Sequence, residues 1–182
     1  MLIVISGVSG SGKNTVIDRL LKERKNLKIF PSVTNRQPRE NEKERGTYKF
    51  ITTQQFKKAI ENNLLFEYEL VHGNYRGILK EEIEKIEKDE INDYIRDIDV
   101  KGNKKLRNHF DKDKIISIFL EVPDDELKRR LILRGDKDED IALRLSRAPF
   151  EREFKNDYDY IIDNIVLEKT INKICEILDS RK

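Results

Sequence analysis

The feature that most constrains the fold is a glycine-rich segment, Gly7–Lys13, between an apolar run and an amphipathic run. Leu2–Ser6 is short and apolar, which predicts a buried strand. After the glycines, a helix is predicted over Lys13–Lys25, its apolar face formed by Val16, Ile17, Leu20 and Leu21. Glycines in the pattern G-x-x-x-x-G-K let successive backbone N–H groups point inward around phosphate oxygens. Strand, turn and helix together predict the opening of a βαβ unit with a phosphate site.

The loop predicts how a nucleoside triphosphate is bound. The N-terminus of the following helix adds free N–H groups and a favourable dipole, and Lys13 reaches the β- and γ-phosphates. The alternative, a glycine-rich turn with an incidental lysine, is disfavoured by the strand before it and the helix after it. The residues expected to contact the triphosphate are Gly7, Ser9, Gly10, Ser11, Gly12, Lys13, Asn14 and Thr15.

One position of the loop departs from the usual pattern. The residue after Lys13, commonly a hydroxyl residue that ligates Mg²⁺, is Asn14. An amide oxygen can hydrogen-bond a hydrated magnesium ion. Asp97, at the end of a predicted strand, can hold the metal directly or through water. The expected metal site therefore consists of Asp97 and Asn14.

Composition excludes several classes of protein. The 182 residues suit one domain, and 37 Lys and Arg against 35 Asp and Glu leave a net charge of +2, which argues against a dedicated nucleic-acid binder. One cysteine and two isolated histidines cannot assemble a metal cluster. No run approaches the ~20 apolar residues of a membrane span. Met1 leads directly into an apolar strand, so we expect no secretory signal and a cytoplasmic protein.

Strands and helices alternate along most of the chain, which predicts an α/β fold with a parallel sheet flanked by helices. Further strands are predicted over Ile91–Asp99, Ile115–Leu120 and Tyr160–Asp163, and further helices over Gly102–His109, Asp124–Leu133 and Glu168–Leu178. Two stretches interrupt the alternation. Residues 32–70 predict a small insertion, with strands over Tyr48–Ile51 and Leu64–Leu70 and a helix over Gln54–Asn62. Residues 124–155 predict two charged helices joined at Arg134–Asp136. Without a long linker or repeat, we expect one domain.

A basic turn in the insertion predicts an acceptor site. Arg36 and Arg39 lie in the proline-stiffened segment Ser32–Glu40 and make a fork for a phosphate monoester. Further motifs follow in order: Gly46–Tyr48, Glu67, Gly73–Gly77, Asp97–Gly102 and Arg134–Gly135. With the phosphate loop, these segments make nearly the whole chain resemble guanylate kinase.

The resemblance implies a P-loop NTPase-type core with a small mixed NMP-binding insertion and a helical lid. The core (1–31, 86–123 and 156–182) would bind ATP, the insertion (32–85) would bind GMP, and the lid (124–155) would close. It implies ATP as phosphoryl donor, Mg²⁺ as cofactor, a role in purine nucleotide metabolism, no nucleic-acid or membrane partner, and a monomer or weak homodimer.

The resemblance also implies roles for individual residues. The GMP phosphate would be held by Arg36, Arg39, Tyr48 and Arg76, and the guanine by Ser32, Glu67 and Asp99. Asn164 would contact adenine. Charge on the transferring phosphoryl group would be neutralised by Lys13, Arg130, Arg134 and Arg144. Independently, guanine presents N1–H and a 2-amino group, two donors that a carboxylate accepts, whereas adenine presents a bare N1.

Besides Asn14, several positions depart from the family pattern, among them the polar residues Asn92, Asp93 and Arg96 in a predicted strand, and two other functions stay open. Ile78 stands where Ser or Thr usually contacts guanine O6, Arg76 replaces a Tyr, and Pro149 falls within a predicted helix. One alternative is a kinase of another small phosphate ester, such as a ribose bisphosphate, which would leave Glu67 and Asp99 without a base to bind. The other is a non-catalytic guanylate-kinase-like binding module, which the intact phosphate loop disfavours. We expect Arg129 and Arg152 to form surface ion pairs only.

Overall fold

The computed structural model describes residues 1–38, 46–71 and 73–181, which form two compact units. The first unit comprises Met1–Leu2 and Asn26–Arg96, and the second comprises Ile3–Lys25 and Asp97–Lys182. The predicted division into core, insertion and lid stays a prediction. No helix within the described ranges has both the length and the apolar character needed to cross a membrane.

Strands and helices follow one another as an α/β chain. The strands are β1 (Leu2–Gly7), β2 (Leu27–Ile29), β3 (Ser32–Thr34), β4 (Tyr48–Phe50), β5 (Leu65–Val71), β6 (Asn74–Leu79), β7 (Asp93–Asp97), β8 (Ile115–Glu121) and β9 (Tyr160–Asp163). The helices are α1 (Lys13–Glu23), α2 (Thr53–Glu61), α3 (Lys80–Lys88), α4 (Val100–His109), α5 (Asp124–Leu133), α6 (Asp138–Glu153) and α7 (Leu167–Asp179). A 3-10 turn covers Lys155–Asp157.

The second unit is built on a sheet in which the strands follow the order β1, β8, β9. β8 and β9 are parallel, with Ile118 opposite Tyr160. A buried apolar cluster lies beside the phosphate loop, formed by Val8, Phe119, Val122, Leu127, Ala148 and Tyr158. Since this cluster includes one residue of the loop and residues of α5 and α6, the core itself holds the two charged helices against the loop.

The first unit contains a four-stranded sheet of order β4-β3-β6-β5. β3 runs parallel to β4 and antiparallel to β6, which in turn pairs with β5 in antiparallel orientation. Helix α2 begins with a capping box between Thr52 and Gln55. It covers one face of the sheet through a cluster of Val33, Phe56, Ala59 and Leu65. In the same unit β2 and β7 form a parallel pair.

The main differences from the sequence predictions concern short or charged elements. The strand predicted over Ile91–Asp99 is shorter, because Asp89 accepts the N–H groups of Ile91 and Asn92 in a turn before β7. At the other end, Asp99 caps α4 through the Gly102 N–H at 2.8 Å. The elements without a matching prediction are β2, β3, β6 and α3. Their apolar residues are too few for a periodic pattern.

The charged helices α3 and α6 each have a feature that the hydrophobic pattern of the sequence does not show. In α3, buried Glu82 is paired with Lys49 of β4 at 2.5 Å and with Lys85 at 2.9 Å. The lysines hold the pKa of Glu82 below its usual range against the opposing effect of burial. Helix α6 continues through Pro149, whose ring nitrogen cannot donate to the carbonyl four residues earlier. Pro149 is exposed.

Candidate active site

The phosphate loop has a backbone that requires glycine at two positions. Gly7 has φ +142°, and a Cβ there would lie 2.5 Å from the Leu120 carbonyl oxygen of β8. Gly12 has φ +88°, and a Cβ there would lie 2.7 Å from Asn164 Nδ2. Both conformations are disfavoured for residues with side chains. The motif is therefore fixed both by local backbone angles and by close packing on neighbouring elements.

Lys13 lies at the start of α1 and folds its ammonium back into the loop. Its Nζ donates to the carbonyl oxygens of Gly7 at 2.5 Å and Val8 at 3.1 Å. Burial lowers the pKa of Lys13 from its usual value. The carboxylates of Asp97 and Glu151 act in the opposite direction, and the nearby arginines lower the pKa further. The loop thus holds a partly desolvated cation at the position from which it can reach phosphate oxygens.

Two of the predicted arginines meet at one carboxylate beside the loop. Arg134 donates from Nε to Asp136 Oδ1 at 2.7 Å and also from Nη2 to Oδ2. Arg144 donates from Nη1 to Ser9 Oγ at 2.7 Å, and its Nε lies 3.1 Å from Asp136 Oδ2. The arginine-rich segment (residues 124–155) is therefore in direct contact with the phosphate loop.

Arg130 contacts a different part of the same loop. Its Nη2 donates to the Asn164 carbonyl at 2.7 Å, and its Nη1 donates to the Ser11 carbonyl at 3.4 Å. Its Nε donates to Glu126 at 2.7 Å, and the hydrogen bonds from Arg129 and Arg130 lower the pKa of Glu126 to about 2. Arg130 thus links α5 to the two segments that carry the loop and Asn164.

Asn164 follows β9 and is only 4% exposed. Its Nδ2 donates to the Ser11 carbonyl at 2.7 Å, and its backbone N–H donates to the Glu121 carbonyl at 2.8 Å. These bonds tie the loop to the end of β8. The adenine contact expected for Asn164 stays a prediction, and its amide oxygen is the atom available for it in addition to these two bonds.

Glu151 is a site residue that sequence reasoning missed. Burial raises its pKa above the usual range, while Lys13 and a hydrogen bond from the Ser9 N–H oppose that increase. Its Oε2 and the Oγ of Ser11 are buried without a hydrogen-bond partner among the described residues. The helical spacing of Ile141, Arg144, Ala148 and Glu151 on one face of α6 is the sequence signal that could have identified it.

The structure also bears on the expected Mg²⁺. No cluster of three or more His, Cys, Asp or Glu side chains suited to a metal occurs within the described ranges. Asp97 ends β7, and its negative charge raises the pKa of Lys13. Asn14 is exposed in the first turn of α1. One carboxylate and one amide fit an ion that keeps several waters and takes its other ligands from phosphates, as Mg²⁺ commonly does.

The residues predicted for the acceptor lie mostly on the four-stranded sheet of the first unit. Ser32 is opposite Tyr48 in the β3–β4 register, and Thr34 is opposite Arg76 in the β3–β6 register. Glu67 is opposite Ile78 in the β5–β6 register. Because directly opposed residues share a face of a sheet, the register places Ser32, Tyr48, Glu67 and Arg76 on one face. The face carrying Val33 is the one that packs against α2.

The cationic part of this face is built around an aromatic ring. The guanidinium of Arg76 lies 5.3 Å from the centroid of the Tyr48 ring, and that of Arg36 lies 5.7 Å from the same centroid. The Arg36 Nη1 also donates to the Gln37 carbonyl at 2.7 Å. The fold thus brings together three of the four side chains predicted to bind the GMP phosphate, Arg36, Tyr48 and Arg76. Arg39 lies outside the described residues.

Each unit contains at least one of the positions predicted to bind guanine. Ser32 is buried in β3, and Glu67 is half-buried in β5. Asp99 belongs to the second unit, where one of its carboxylate oxygens caps α4. Ile78 is 2% exposed, which identifies its side chain as a packing element of the sheet.

The two arginines expected to form ion pairs do so. Arg129 donates to Glu126 from Nε at 2.7 Å and from Nη2 at 2.8 Å. Arg152 is paired with Glu121 at 2.8 Å and with Asp124 at 2.7 Å, and it also donates to the Val122 carbonyl. Arg152 therefore ties α6 to the end of β8.

Comparison with known proteins agrees with this architecture. A family model described as guanylate kinase matches residues 1–181. The guanylate kinase of Fusobacterium nucleatum subsp. nucleatum is 37% identical over 181 residues, covering 98% of this chain and 96% of that protein. The guanylate kinase of Prochlorococcus marinus (strain MIT 9312) is 38% identical over 182 residues, covering 98% and 97%. The crystal structure of guanylate kinase from Anaplasma phagocytophilum is similar with a TM-score of 0.76 and 29% identity, covering 99% of this chain and 85% of that one. The chain belongs to the guanylate kinase family.

Proposed function

We propose that this protein transfers the γ-phosphoryl group of ATP to the phosphate of GMP, which yields ADP and GDP. The bond between the γ-phosphorus and the β–γ bridging oxygen breaks, and a bond from a GMP phosphate oxygen to that phosphorus forms. The acceptor is already a phosphate anion, so no general base is needed. Catalysis then consists of positioning and of electrostatic stabilisation.

The observation that carries the proposal is the convergence of cations on the phosphate loop. Lys13 bonds to the loop carbonyls, and Arg144 bonds to Ser9 Oγ at 2.7 Å. Arg134 shares the carboxylate of Asp136 with Arg144. Three positive side chains at a glycine-rich loop are suited to a transition state whose negative charge is spread over the phosphoryl oxygens.

The proposed donor-side roles follow from these contacts. Lys13, Arg134 and Arg144 would neutralise the transferring phosphoryl group. Arg130 would act closer to Asn164, at the nucleoside end of ATP. Asp97 and Asn14 would hold hydrated Mg²⁺, which would supply further positive charge near the phosphates.

The proposed acceptor roles rest on the sheet of the first unit. The guanidinium groups of Arg36 and Arg76 lie near the Tyr48 ring, and we propose that both bind the GMP phosphate together with Arg39 and the Tyr48 hydroxyl. As the resemblance implies, Ser32, Glu67 and Asp99 would accept and donate hydrogen bonds at the guanine. A carboxylate in such a site favours guanine over adenine, because adenine would leave it facing an acceptor.

The test is ADP release from ATP with GMP, AMP or a ribose phosphate as acceptor, each with Mg²⁺. We expect turnover with GMP and little with the other two. Faster turnover with a ribose phosphate would instead support the sugar-phosphate kinase, and binding of both nucleotides without ADP release would support the non-catalytic module.

We also propose a cytoplasmic location and a monomer or weak homodimer.

A further inference from the structure

The turn between α5 and α6 contains a carboxylate to which the sequence analysis assigned no role. Asp136 accepts from Arg134 Nε at 2.7 Å and from Arg134 Nη2 with its second oxygen. The same second oxygen lies 3.1 Å from Arg144 Nε. The Asp136 side chain is only 13% exposed, while those of Arg134 and Arg144 are 52% and 39% exposed. The carboxylate is therefore the enclosed centre of the cluster, and the guanidinium groups are its outer parts.

The contact to Arg134 fixes the plane of a guanidinium group. Two parallel N–H···O bonds from one guanidinium to one carboxylate set both the position and the orientation of the planar group. Arg144 has one hydrogen bond, from Nη1 to Ser9 Oγ, and an ion pair in which its Nε lies 3.1 Å from Asp136 Oδ2. Each guanidinium group is therefore held at two of its nitrogens.

These bonds leave most of the donor capacity of both arginines for a ligand. A guanidinium carries five N–H donors. Arg134 uses Nε and one hydrogen of Nη2, and Arg144 uses one hydrogen of Nη1, in the hydrogen bonds above. Most of the N–H donors of each group lie outside those hydrogen bonds. Asp136 thus orients the two guanidinium groups while most of their N–H donors lie outside its contacts.

The charge of Asp136 also allows the two arginines to approach the same place. Two guanidinium groups and the nearby Lys13 ammonium repel one another, and Arg134 and Arg144 each lower the pKa of Lys13. A carboxylate shared by the arginines offsets part of that repulsion.

We infer that Asp136 is a positioning residue for phosphoryl transfer, holding Arg134 and Arg144 in the orientation from which they stabilise the transferring group. The inference rests on the proposed function. Asp136 acts through the arginines and does not itself touch the phosphates.

The test compares Asp136→Asn with Asp138→Asn, a matched control that removes the same charge from an exposed residue in the first turn of α6. Asp136→Asn should lower the single-turnover rate by about 10- to 100-fold, the scale expected when catalytic groups are misplaced. The KM values for ATP and GMP should stay within about twofold of the wild-type values, because a loss of orientation in the transition state lowers the rate without weakening the binding of substrate. Asp138→Asn should retain the wild-type rate.

A double-mutant cycle separates positioning from a general structural role. Arg144→Lys should cost much less in the Asp136→Asn background than in the wild type, because the orientation that it disrupts is already lost. Additive effects would overturn the inference.

Asp136→Glu keeps the charge and moves it by one methylene. A reduced rate in this variant at an unchanged unfolding midpoint supports positioning even if the Asn variant does not fold.

Three further outcomes would overturn the inference, and they differ in what they imply for the proposed function. A wild-type protein without turnover on ATP and GMP overturns the proposed function and the inference together. An active wild type whose Asp136→Asn variant matches the control overturns the inference alone. An Asp136→Asn variant with a lower KM for ATP and an unchanged or higher rate would identify Asp136 as a competitor of the phosphates and also overturn it.

Discussion

The phosphate loop of the second unit and the sheet face of the first unit hold their cations by different means. Beside the loop, Arg130, Arg134 and Arg144 are each paired with a carboxylate. On the sheet face, Arg36 and Arg76 lie over the ring of Tyr48. A cation above an aromatic ring at an exposed site gains about 0.5–1 kcal/mol. A bidentate pair between Arg and a carboxylate also fixes orientation.

The comparison teaches that the two sites are suited to different tasks. Oriented, charge-compensated cations serve a transition state, where small errors in position reduce the rate. Cations placed over an aromatic ring are suited to binding a ground-state phosphate, which tolerates more freedom of orientation than a transition state does. We therefore expect changes at the loop to appear mainly in kcat, and changes at the sheet face mainly in the KM for GMP.

The largest effect is expected at Lys13. Lys13→Ala removes the cation that we propose compensates charge between the β- and γ-phosphates, and kcat should fall by about 10²- to 10³-fold, as for other single electrostatic stabilisers. Steady-state kinetics measure the loss, and Lys22→Ala, on the exposed side of the same helix, serves as the control. A folded Lys13→Ala variant with near-wild-type kcat would contradict the assignment of the loop.

A second change tests the packing of the sheet face itself. Ile78 is buried opposite Glu67, so Ile78→Ser should lower the free energy of unfolding by about 2 kcal/mol, the lower end for truncating a buried Ile. Chemical denaturation measures the loss. Ile78→Val is the control, with an expected cost of about 0.5–1.5 kcal/mol.

The same variant sharpens the question of guanine recognition. From the sequence we expect that Ile78→Ser restores a hydroxyl that contacts guanine O6 and lowers the KM for GMP. The burial of Ile78 favours packing, and therefore an unchanged or higher KM for GMP in the Ser variant. Kinetics at a temperature where the variant is fully folded distinguish the two.

A substitution at Arg76 tests the expectation that changes on the sheet face affect mainly the KM for GMP. Arg76→Ala should raise the KM for GMP by about 10- to 100-fold, because a hydrogen bond to a charged group contributes about 1.5–3 kcal/mol. The KM for ATP and the thermal unfolding midpoint should change little. Lys57→Ala, in α2 on the other face of the sheet, is the control. An equal rise in both KM values would show that the effect is not specific to the acceptor.

The smallest effect is expected at Glu151, and it depends on pH. Glu151 raises the pKa of Lys13, so Glu151→Gln should lower that pKa and move the alkaline limb of the kcat/KM profile to lower pH. The exposed Glu153→Gln in the same helix should leave the profile unchanged.

The stability of the Glu151 variant provides a second measurement. The pKa of Glu151 is raised in the folded protein, so its contribution to stability is fully present below the unfolded-state pKa and is lost as pH rises through the folded-state pKa. Glu151→Gln should therefore gain stability relative to the wild type as pH increases from 4 to 8. A constant difference over this range would contradict the buried, ionising carboxylate.

The conformation of the phosphate loop could be predicted from the sequence because its determinants are local. Gly7, Gly12 and Lys13 lie within one turn between a strand and a helix, and their order along the chain sets the backbone angles and the direction of the N–H groups. The arginine-rich helices were also predicted, with α5 at the observed bounds. Family membership followed from motifs in sequence order.

Only the tertiary structure decided which side chains meet. Asp136 joins Arg134 to Arg144 because a turn reverses the chain between α5 and α6, and Glu151 faces Lys13 because α6 packs on the loop. On the sheet, the pairing of β3 with β4 and β6 decided that Arg76 and Tyr48 share a face with Ser32. A shift of one residue in that register would move each side chain to the other face. Such contacts join residues distant along the chain, and their geometry is set by packing and register, which a linear pattern does not contain.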